Sequence, residues 1–278
     1  MRGRRVLLPA LALAGLTAAG AAMAQEPPRR VVSINVCTDQ LAMLIAEPGQ
    51  LHSVSHLAAD PHSSAMVEEA RSYAVNHGLA EEIFLMRPDL VLAGTYTTRA
   101  SVDLLRRLGF RVEPFAPAND FDDIREQIGR IGALLGREER AAALVAELDA
   151  GLAELASAAP SGRMAASYSS NSYTTGAGTL TDSVMEAAGL RNMASERGIE
   201  GGARIPLEML LAARPDLIVT GTVAYDSPAL AQENFSHPAF RAYAEQGRSV
   251  GVPDRYWVCG APFTLEAARI LQRAAAQE

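Results

Sequence analysis

One stretch of the chain is written twice. Residues 81–95 read EEIFLMRPDLVLAGT and residues 208–222 read EMLLAARPDLIVTGT. The windows lie 127 residues apart and share, without a gap, Glu81/Glu208, Arg87/Arg214, Pro88/Pro215, Asp89/Asp216, Leu90/Leu217, Gly94/Gly221 and Thr95/Thr222. Both have the same local logic. An apolar helix stops because proline disfavours helical geometry in the residue before it, and an apolar run then enters a sheet. Each half of the chain therefore holds one α/β unit of the same kind.

The surroundings extend this pattern. VVSINV (31–36) reads as a buried strand and CTDQLAMLIA (37–46) as a helix with Thr38 as N-cap. LHSVSH (51–56) follows as a strand, SSAMVEEARSYA (63–74) as a helix, 100–108 as a helix and RVEPF (111–115) as a strand. From Phe121 the chain is helical for over thirty residues, with Gly136 the expected interruption, so no structureless linker joins the halves. Alternation resumes with RMAASYS (163–169), a helix near 179–190, the second copy of the repeat, a helix in SHPAFRAYAEQG (236–247), the strand SVGVP (249–253) and a helix over 262–276. Strands alternating with helices predict an α/β fold of two doubly wound lobes with mainly parallel sheets, joined by a long helix. Ligands in such sheets sit beyond the carboxyl ends of the strands, so two lobes present those loops to a shared cleft.

The opening MRGRRVLLPALALAGLTAAGAAMAQE has a basic start, an apolar run and a small-residue Ala22-Met23-Ala24 end, the layout of a secretory signal peptide over residues 1–24. The mature chain is expected to start near Gln25, in the periplasm. Its loss removes Arg2, Arg4 and Arg5 and no acid, moving the formal net charge from −7 to −10. That acidity argues against a nucleic-acid partner. All 25 basic residues are arginine, and there is no lysine.

With RRVVSINVCTDQLAMLI, RPDLVLAGT and the second copy in view, the chain resembles the substrate-binding proteins of ABC importers for cobalamin and iron–siderophore complexes. The resemblance covers nearly the whole mature chain. It implies an N-terminal α/β lobe (25–136), a bridging helix (137–158), a C-terminal α/β lobe (159–278) and a cleft between the lobes. It also implies partners: an ABC permease dimer with its ATPase, docked by one glutamate per lobe in the helix before the PDL strand. Here Glu81 stands seven residues before Pro88 and Glu208 seven before Pro215, matching that pattern. Read without the resemblance, either carboxylate is ordinary first-turn stabilisation worth about 0.3–1 kcal/mol. What moves the reading to docking is that both occupy one place in both copies, while Glu82 and Met209 beside them differ. The implied state is a monomer with no cofactor of its own.

Loops after the expected strands collect aromatic residues. The cleft candidates are Cys37, Thr38, Tyr96, Arg99, Tyr168, Tyr173, Tyr225, Tyr256, Trp257 and Cys259. Aromatic walls suit a large, flat, partly apolar ligand, and a row of three arginines for an anionic siderophore is not visible in these loops. A corrinoid such as cobalamin is therefore favoured as cargo over a ferric siderophore or haem. The resemblance places Cys37 and Cys259 just after strands, one per lobe. Three fates are open to them: a disulfide across the cleft mouth, inert buried thiols, or a thiolate ligand at Cys37 before its helix.

Two other readings compete. A bare-metal carrier for zinc or manganese would use His52, His56, His62, His77 and His237, but four of these lie between 52 and 77, away from most expected strand ends. A secreted enzyme would use Cys37 as nucleophile, yet the chain has no Gly-x-Ser-x-Gly, no Gly-x-Gly-x-x-Gly after a strand and no Walker-type loop. Binding without catalysis is the expectation.

Overall fold

A computed structural model describes residues 26–97, 99–222 and 230–277. The expected signal peptide, Gln25, Tyr225 and Asp226 lie outside the described residues. The strands are β1 (Val31–Ser33), β2 (Leu51–Ser55), β3 (Ala74–Asn76), β4 (Leu90–Gly94), β5 (Val112–Phe115), β6 (Met164–Ser167), β7 (Tyr173–Thr175), β8 (Arg191–Asn192), β9 (Gly202–Arg204), β10 (Leu217–Gly221) and β11 (Ser249–Val252). The first five form one parallel sheet in the order β3-β2-β1-β4-β5. A second parallel sheet has the order β11-β10-β6-β8, and β7 pairs antiparallel with β9 beside it.

The repeated run is apolar at successive residues because both faces of each sheet are covered. In the first sheet Val31, Leu90 and Leu92 join one buried cluster while Val32, Val91 and Ala93 join another on the opposite face. In the second, Ala165, Leu217 and Val219 point one way and Ala166 and Ile218 the other. The inner cluster is continuous between the sheets. Helix Phe121–Leu135 contributes Ile124, Ile128, Ile131 and Leu135, helix Glu138–Ala156 contributes Leu144, Leu148 and Leu155, and the final helix Thr264–Ala275 contributes Leu265 and Leu271. Gly136 separates the first two helices in the left-handed conformation, φ 66°, where a side chain is disfavoured. The helical stretch is thus two helices, both packed into the cluster that the two sheets share. No described helix is long and apolar enough to cross a membrane.

The repeat's shared residues have a common job. Helices Ala80–Met86 and Leu207–Ala213 each run seven residues and end on an arginine in the left-handed region, Arg87 at φ 50° and Arg214 at φ 49°. The buried prolines follow. Asp89 then accepts the backbone N–H groups of Arg29 (2.7 Å) and Arg30 (3.0 Å), and Asp216 accepts that of Met164 (2.7 Å). Each aspartate thereby fixes the start of the central strand that its own strand pairs with, β1 for β4 and β6 for β10.

Three local expectations need correction. The helix expected over 63–74 shrinks to Val67–Ala70, and the chain instead adds the edge strand β3. The N-cap of helix Val36–Ile45 is Asn35, whose side-chain oxygen accepts the Cys37 N–H at 3.0 Å, whereas Thr38 is inside the helix. Strands β7, β8 and β9 were not foreseen. They are two or three residues long, too short to show a period.

The junction makes a paired stability prediction. A left-handed backbone costs a non-glycine residue about 1 kcal/mol, so Arg214→Gly should stabilise the chain by about 0.5–1 kcal/mol in urea unfolding. Asp216→Ala should destabilise it by about 1–3 kcal/mol by leaving the Met164 N–H without its charged acceptor.

Candidate functional site

Strand order reverses direction in each sheet, at β1/β4 in the first and β6/β10 in the second, and each reversal opens a crevice at the carboxyl ends of those strands. At the first crevice Gly94 ends β4, where a β-carbon would lie 2.7 Å from Nδ2 of Asn35. At the second, Gly221 ends β10, where a β-carbon would lie 2.8 Å from Oδ1 of Asp254. The repeated glycine therefore lets a polar side chain lie across the strand end in both lobes. A cavity of about 340 Å³ opens at the second crevice, lined by Ser169, Ser170, Tyr173, Gly221, Gln232, Phe235 and Asp254.

The two carboxyl edges face each other. Cys37, at the start of the helix after β1, and Cys259, after β11, form a disulfide with their Cα atoms 5.0 Å apart. Beside it Gly260 packs within 2.5–2.7 Å, measured from where a β-carbon would stand, of Ala118 after β5 and Ile124. On the other flank Arg255 Nη1 donates to the Pro61 carbonyl after β2 at 3.5 Å. Of the three fates open to the cysteines, the structure has the disulfide, and no described cysteine is free, so neither supplies a thiolate ligand or a nucleophile.

The other candidates separate by burial. Tyr96, just beyond β4, is 84% exposed, and Tyr173 is 44% exposed with the Arg204 guanidinium 5.1 Å above its ring. Tyr256 and Trp257 are half-buried. Arg255 lies 4.9 Å from the Tyr256 ring, and Trp257 Nε1 donates to Asp254 Oδ1 at 3.4 Å. Arg99 is exposed at the first position of helix Arg99–Arg107. Two candidates are not on the cleft. Tyr168 is wholly buried against Phe235 and Phe240 with its hydroxyl donating to Ser172 Oγ at 2.9 Å, so it belongs to the outer core of its lobe. Thr38 is buried with its hydroxyl donating to the Asn35 carbonyl, which leaves it no face for a ligand. Sequence reasoning missed Asp254 and Phe235. The only signal for Asp254 was its place directly after the expected strand 249–253.

Glu81 and Glu208 are each the second residue of their helix and exposed, with no ion pair or side-chain hydrogen bond among the described residues. Glu82 differs. Its carboxylate accepts the backbone N–H of His77 at 2.7 Å and contacts His77 Nδ1 at 3.1 Å, and these bonds hold its pKa below the usual value.

Two of the histidines do lie at strand ends. His56 follows β2 and His77 follows β3, both at the carboxyl edge, with rings stacked at 5.3 Å. His52 Nε2 contacts Arg30 Nη2 at 2.8 Å, and burial with the neighbouring Arg30 charge lowers its pKa. His237 Nδ1 accepts the Ala239 N–H and caps a helix in the other lobe. Among the described residues no group of three histidine, cysteine, aspartate or glutamate side chains is placed to hold a bare metal ion.

Two residues beyond Cys37 in helix Val36–Ile45, Asp39 is fully buried, accepting Ser55 N–H (3.1 Å) and Ser55 Oγ–H (2.5 Å) on Oδ2, while Oδ1 has no partner among the described residues. Burial pushes this carboxyl up to about 7, against the pull of the hydrogen bonds from Ser55.

Residues 31–245 match the family described as periplasmic binding protein. The chain is 28% identical over 202 residues, 71% of its length, to a cobalamin-binding protein of Halobacterium salinarum. It is 24% identical over 207 residues, 70% of its length, to YvrC of Bacillus subtilis strain 168, an uncharacterized ABC transporter substrate-binding lipoprotein. It spans 55% and 64% of those relatives' own lengths. A crystal structure of a possible iron-binding, periplasmic solute-binding protein from Staphylococcus epidermidis ATCC 12228 has the same fold. It superposes with a TM-score of 0.74 at 17% identity, covering 91% of this chain and all of that one.

Two measurements test the site's framework. Replacing both cysteines by serine should lower stability by about 2–4 kcal/mol, through loss of a cross-link between distant residues, read as a fall in melting temperature that reductant reproduces in the wild type. Because the folded value of Asp39 lies above its ordinary 3.8, the folded state holds a proton that the unfolded state releases. Its contribution is full below about 4 and is lost as pH rises through about 7. The stability of Asp39→Asn relative to wild type should therefore rise between pH 5 and 8, and a difference that stays flat would sink this assignment.

Proposed function

The chain belongs to the periplasmic binding protein family, and from that premise we propose that it is the substrate-binding component of an ABC importer. In this reading it captures a bulky metal chelate, a corrinoid before a ferric siderophore or haem, in the cleft between its lobes and delivers it to a permease dimer with its ATPase. Family members are binding proteins, and this chain would cleave no bond. The periplasm would be its compartment, reached through the expected signal peptide.

The observation that carries the reading is the Cys37–Cys259 bond, because it brings the carboxyl ends of two parallel sheets together and so turns two crevices toward one another. Exposed aromatic rings at both edges, Tyr96 and Tyr173, and the half-buried Tyr256 and Trp257 of the loop after β11 are suited to stacking on the flat face of a macrocycle. The match to a protein named for cobalamin binding supports the corrinoid choice. Glu81 and Glu208 support docking because they are exposed, free of described partners and presented by two helices of one design. Their charge would contribute on-rate and orientation more than affinity.

Calorimetric titration with cyanocobalamin, a ferric hydroxamate, a ferric catecholate and haem should give sub-micromolar binding for cyanocobalamin alone. Binding of only an iron chelate would retain the importer reading and replace the cargo. Silence from all four would remove the chelate reading altogether. The double variant Glu81→Lys/Glu208→Lys should bind its cargo within about twofold of wild type, while uptake by cells carrying the permease is abolished.

A further inference from the structure

Two consecutive side chains of helix Val36–Ile45 hold the two ends of one excursion of the chain. Asp39 Oδ2 accepts the N–H and the Oγ–H of Ser55, the last residue of β2. Gln40 Oε1 accepts the N–H of Ala65 at 2.8 Å. Both of these holding side chains are fully buried. Between the two anchors residues 56–64 leave the carboxyl edge of the first sheet and return to it as a strap. The strap has a turn of its own, in which Asp60 accepts the His62 N–H (3.1 Å) and the Ser63 Oγ–H (2.8 Å), bonds that hold its pKa below the usual value. Only Ala58 and Ser64 of the strap are buried, and its Pro61 carbonyl receives Arg255 from the second lobe. A segment with so little buried surface opens more readily than the sheet beneath it, so its closure depends on its anchors.

The Asp39 anchor is built to respond to protons. Both of its hydrogen bonds fall on Oδ2, and Oδ1 has no partner among the described residues. A neutral carboxyl would carry its proton on Oδ1 and leave one neutral donor unpaired. An ionised one would leave charge buried without a cation beside it, which costs more. Neighbouring elements supply no compensating charge among the described residues. β1 and β4 carry no titratable side chain, His52 of β2 meets Arg30, and His56 of the short helix His56–Ala59 stacks on His77. On helix Phe121–Leu135, Arg125 pairs with Asp122 and Asp149, Arg130 pairs with Glu113, Asp123 accepts the Asn119 N–H, and Glu126 is exposed. We propose that residues 56–64 form a proton-latched strap, closed over the flank of the cleft while Asp39 is neutral and released at its β2 end when Asp39 gives its proton to water. Opening hydrates the carboxylate and frees the Pro61 carbonyl from Arg255. It also removes one wall of the cavity of about 310 Å³ that Pro61, Ser64, Ala65, Val67 and Arg255 line. The strap would work in this way whatever the cleft binds.

In the closed strap burial pushes Asp39 up to about 7, and an open strap returns it toward the ordinary 3.8. Closure is therefore fully stabilised below about 4, weakens as pH rises, and changes no further above about 7. Native-state hydrogen exchange of the full mature chain, corrected at each pH for the intrinsic amide rate, reads the opening constant of residues 56–64. That constant should rise by about tenfold per pH unit between about 5 and 7, one proton per opening, and level off above. It should exceed the opening constants of β1 and β4 amides at every pH, because the sheet stays formed while the strap opens. In Asp39→Asn, which keeps the titratable His56 and His62 of the strap, it should stay level across the same range. Ser55→Ala removes a hydrogen bond that favours the ionised form and should move the levelling-off to higher pH. A wild type whose strap opening ignores pH overturns the latch, as does a rise that survives Asp39→Asn. A levelling-off unmoved in Ser55→Ala, or strap amides no more open than those of β1 and β4, overturns it equally.

Discussion

Parallel strands buried on both faces constrain everything else in this protein. β4 and β10 contribute apolar side chains alternately to clusters on opposite sides of their sheets, so neither sheet is stable until helices cover both surfaces. Covering both faces requires the crossover helices to pass on either side of the sheet, and the strand order must then reverse once. That reversal opens the crevice at the carboxyl edge. The cleft is therefore a consequence of how the core is closed. The inner cluster runs unbroken through helices Phe121–Leu135 and Glu138–Ala156 into the second sheet, so the lobes share one core.

The repeat was the legible part, and the structure explains its identities residue by residue. Arginine ends the helix, proline is buried at the turn, aspartate fixes the neighbouring strand, and glycine clears space for a polar side chain at the strand end. The alternation of apolar runs gave the two-lobe architecture, and the left-handed Gly136 was the expected interruption between helices of 15 and 19 residues. Such features are readable because each is decided by neighbours in sequence.

Features decided by distant neighbours were not readable. Tyr168 looked like a cleft residue because it follows a strand, but Phe235 and Phe240 come from more than sixty residues away to bury it. Thr38 and Asn35 are equally plausible caps on composition, and Asn35 wins because the helix begins earlier, at Val36. β3 has only three residues, and its side chains at Ala74 and Val75 are exposed, so it carries no apolar pattern to detect. The pairing of Cys37 with Cys259, 222 residues apart, was one of three fates the sequence left open, and the meeting of the two edges decides it.

The anchoring of the lobes bears on how a partner would read them. They are held by a shared core, by the disulfide, by Gly260 against Ala118 and Ile124, and by Arg255 reaching the Pro61 carbonyl. Opening them by a wide hinge would break buried contacts of Ile124 and expose apolar surface at about 25 cal/mol per Å². Small adjustments of the strand-end loops meet no such cost. Glu81 and Glu208 sit on short helices whose far ends are held by the arginine-proline-aspartate junctions, so on the proposed docking role their spacing would be nearly the same with and without cargo. A permease that engaged both would then bind the loaded and empty protein with similar affinity. Preference for the loaded form has to come from contacts nearer the cleft, because a partner shifts an equilibrium only by its differential affinity for the two states.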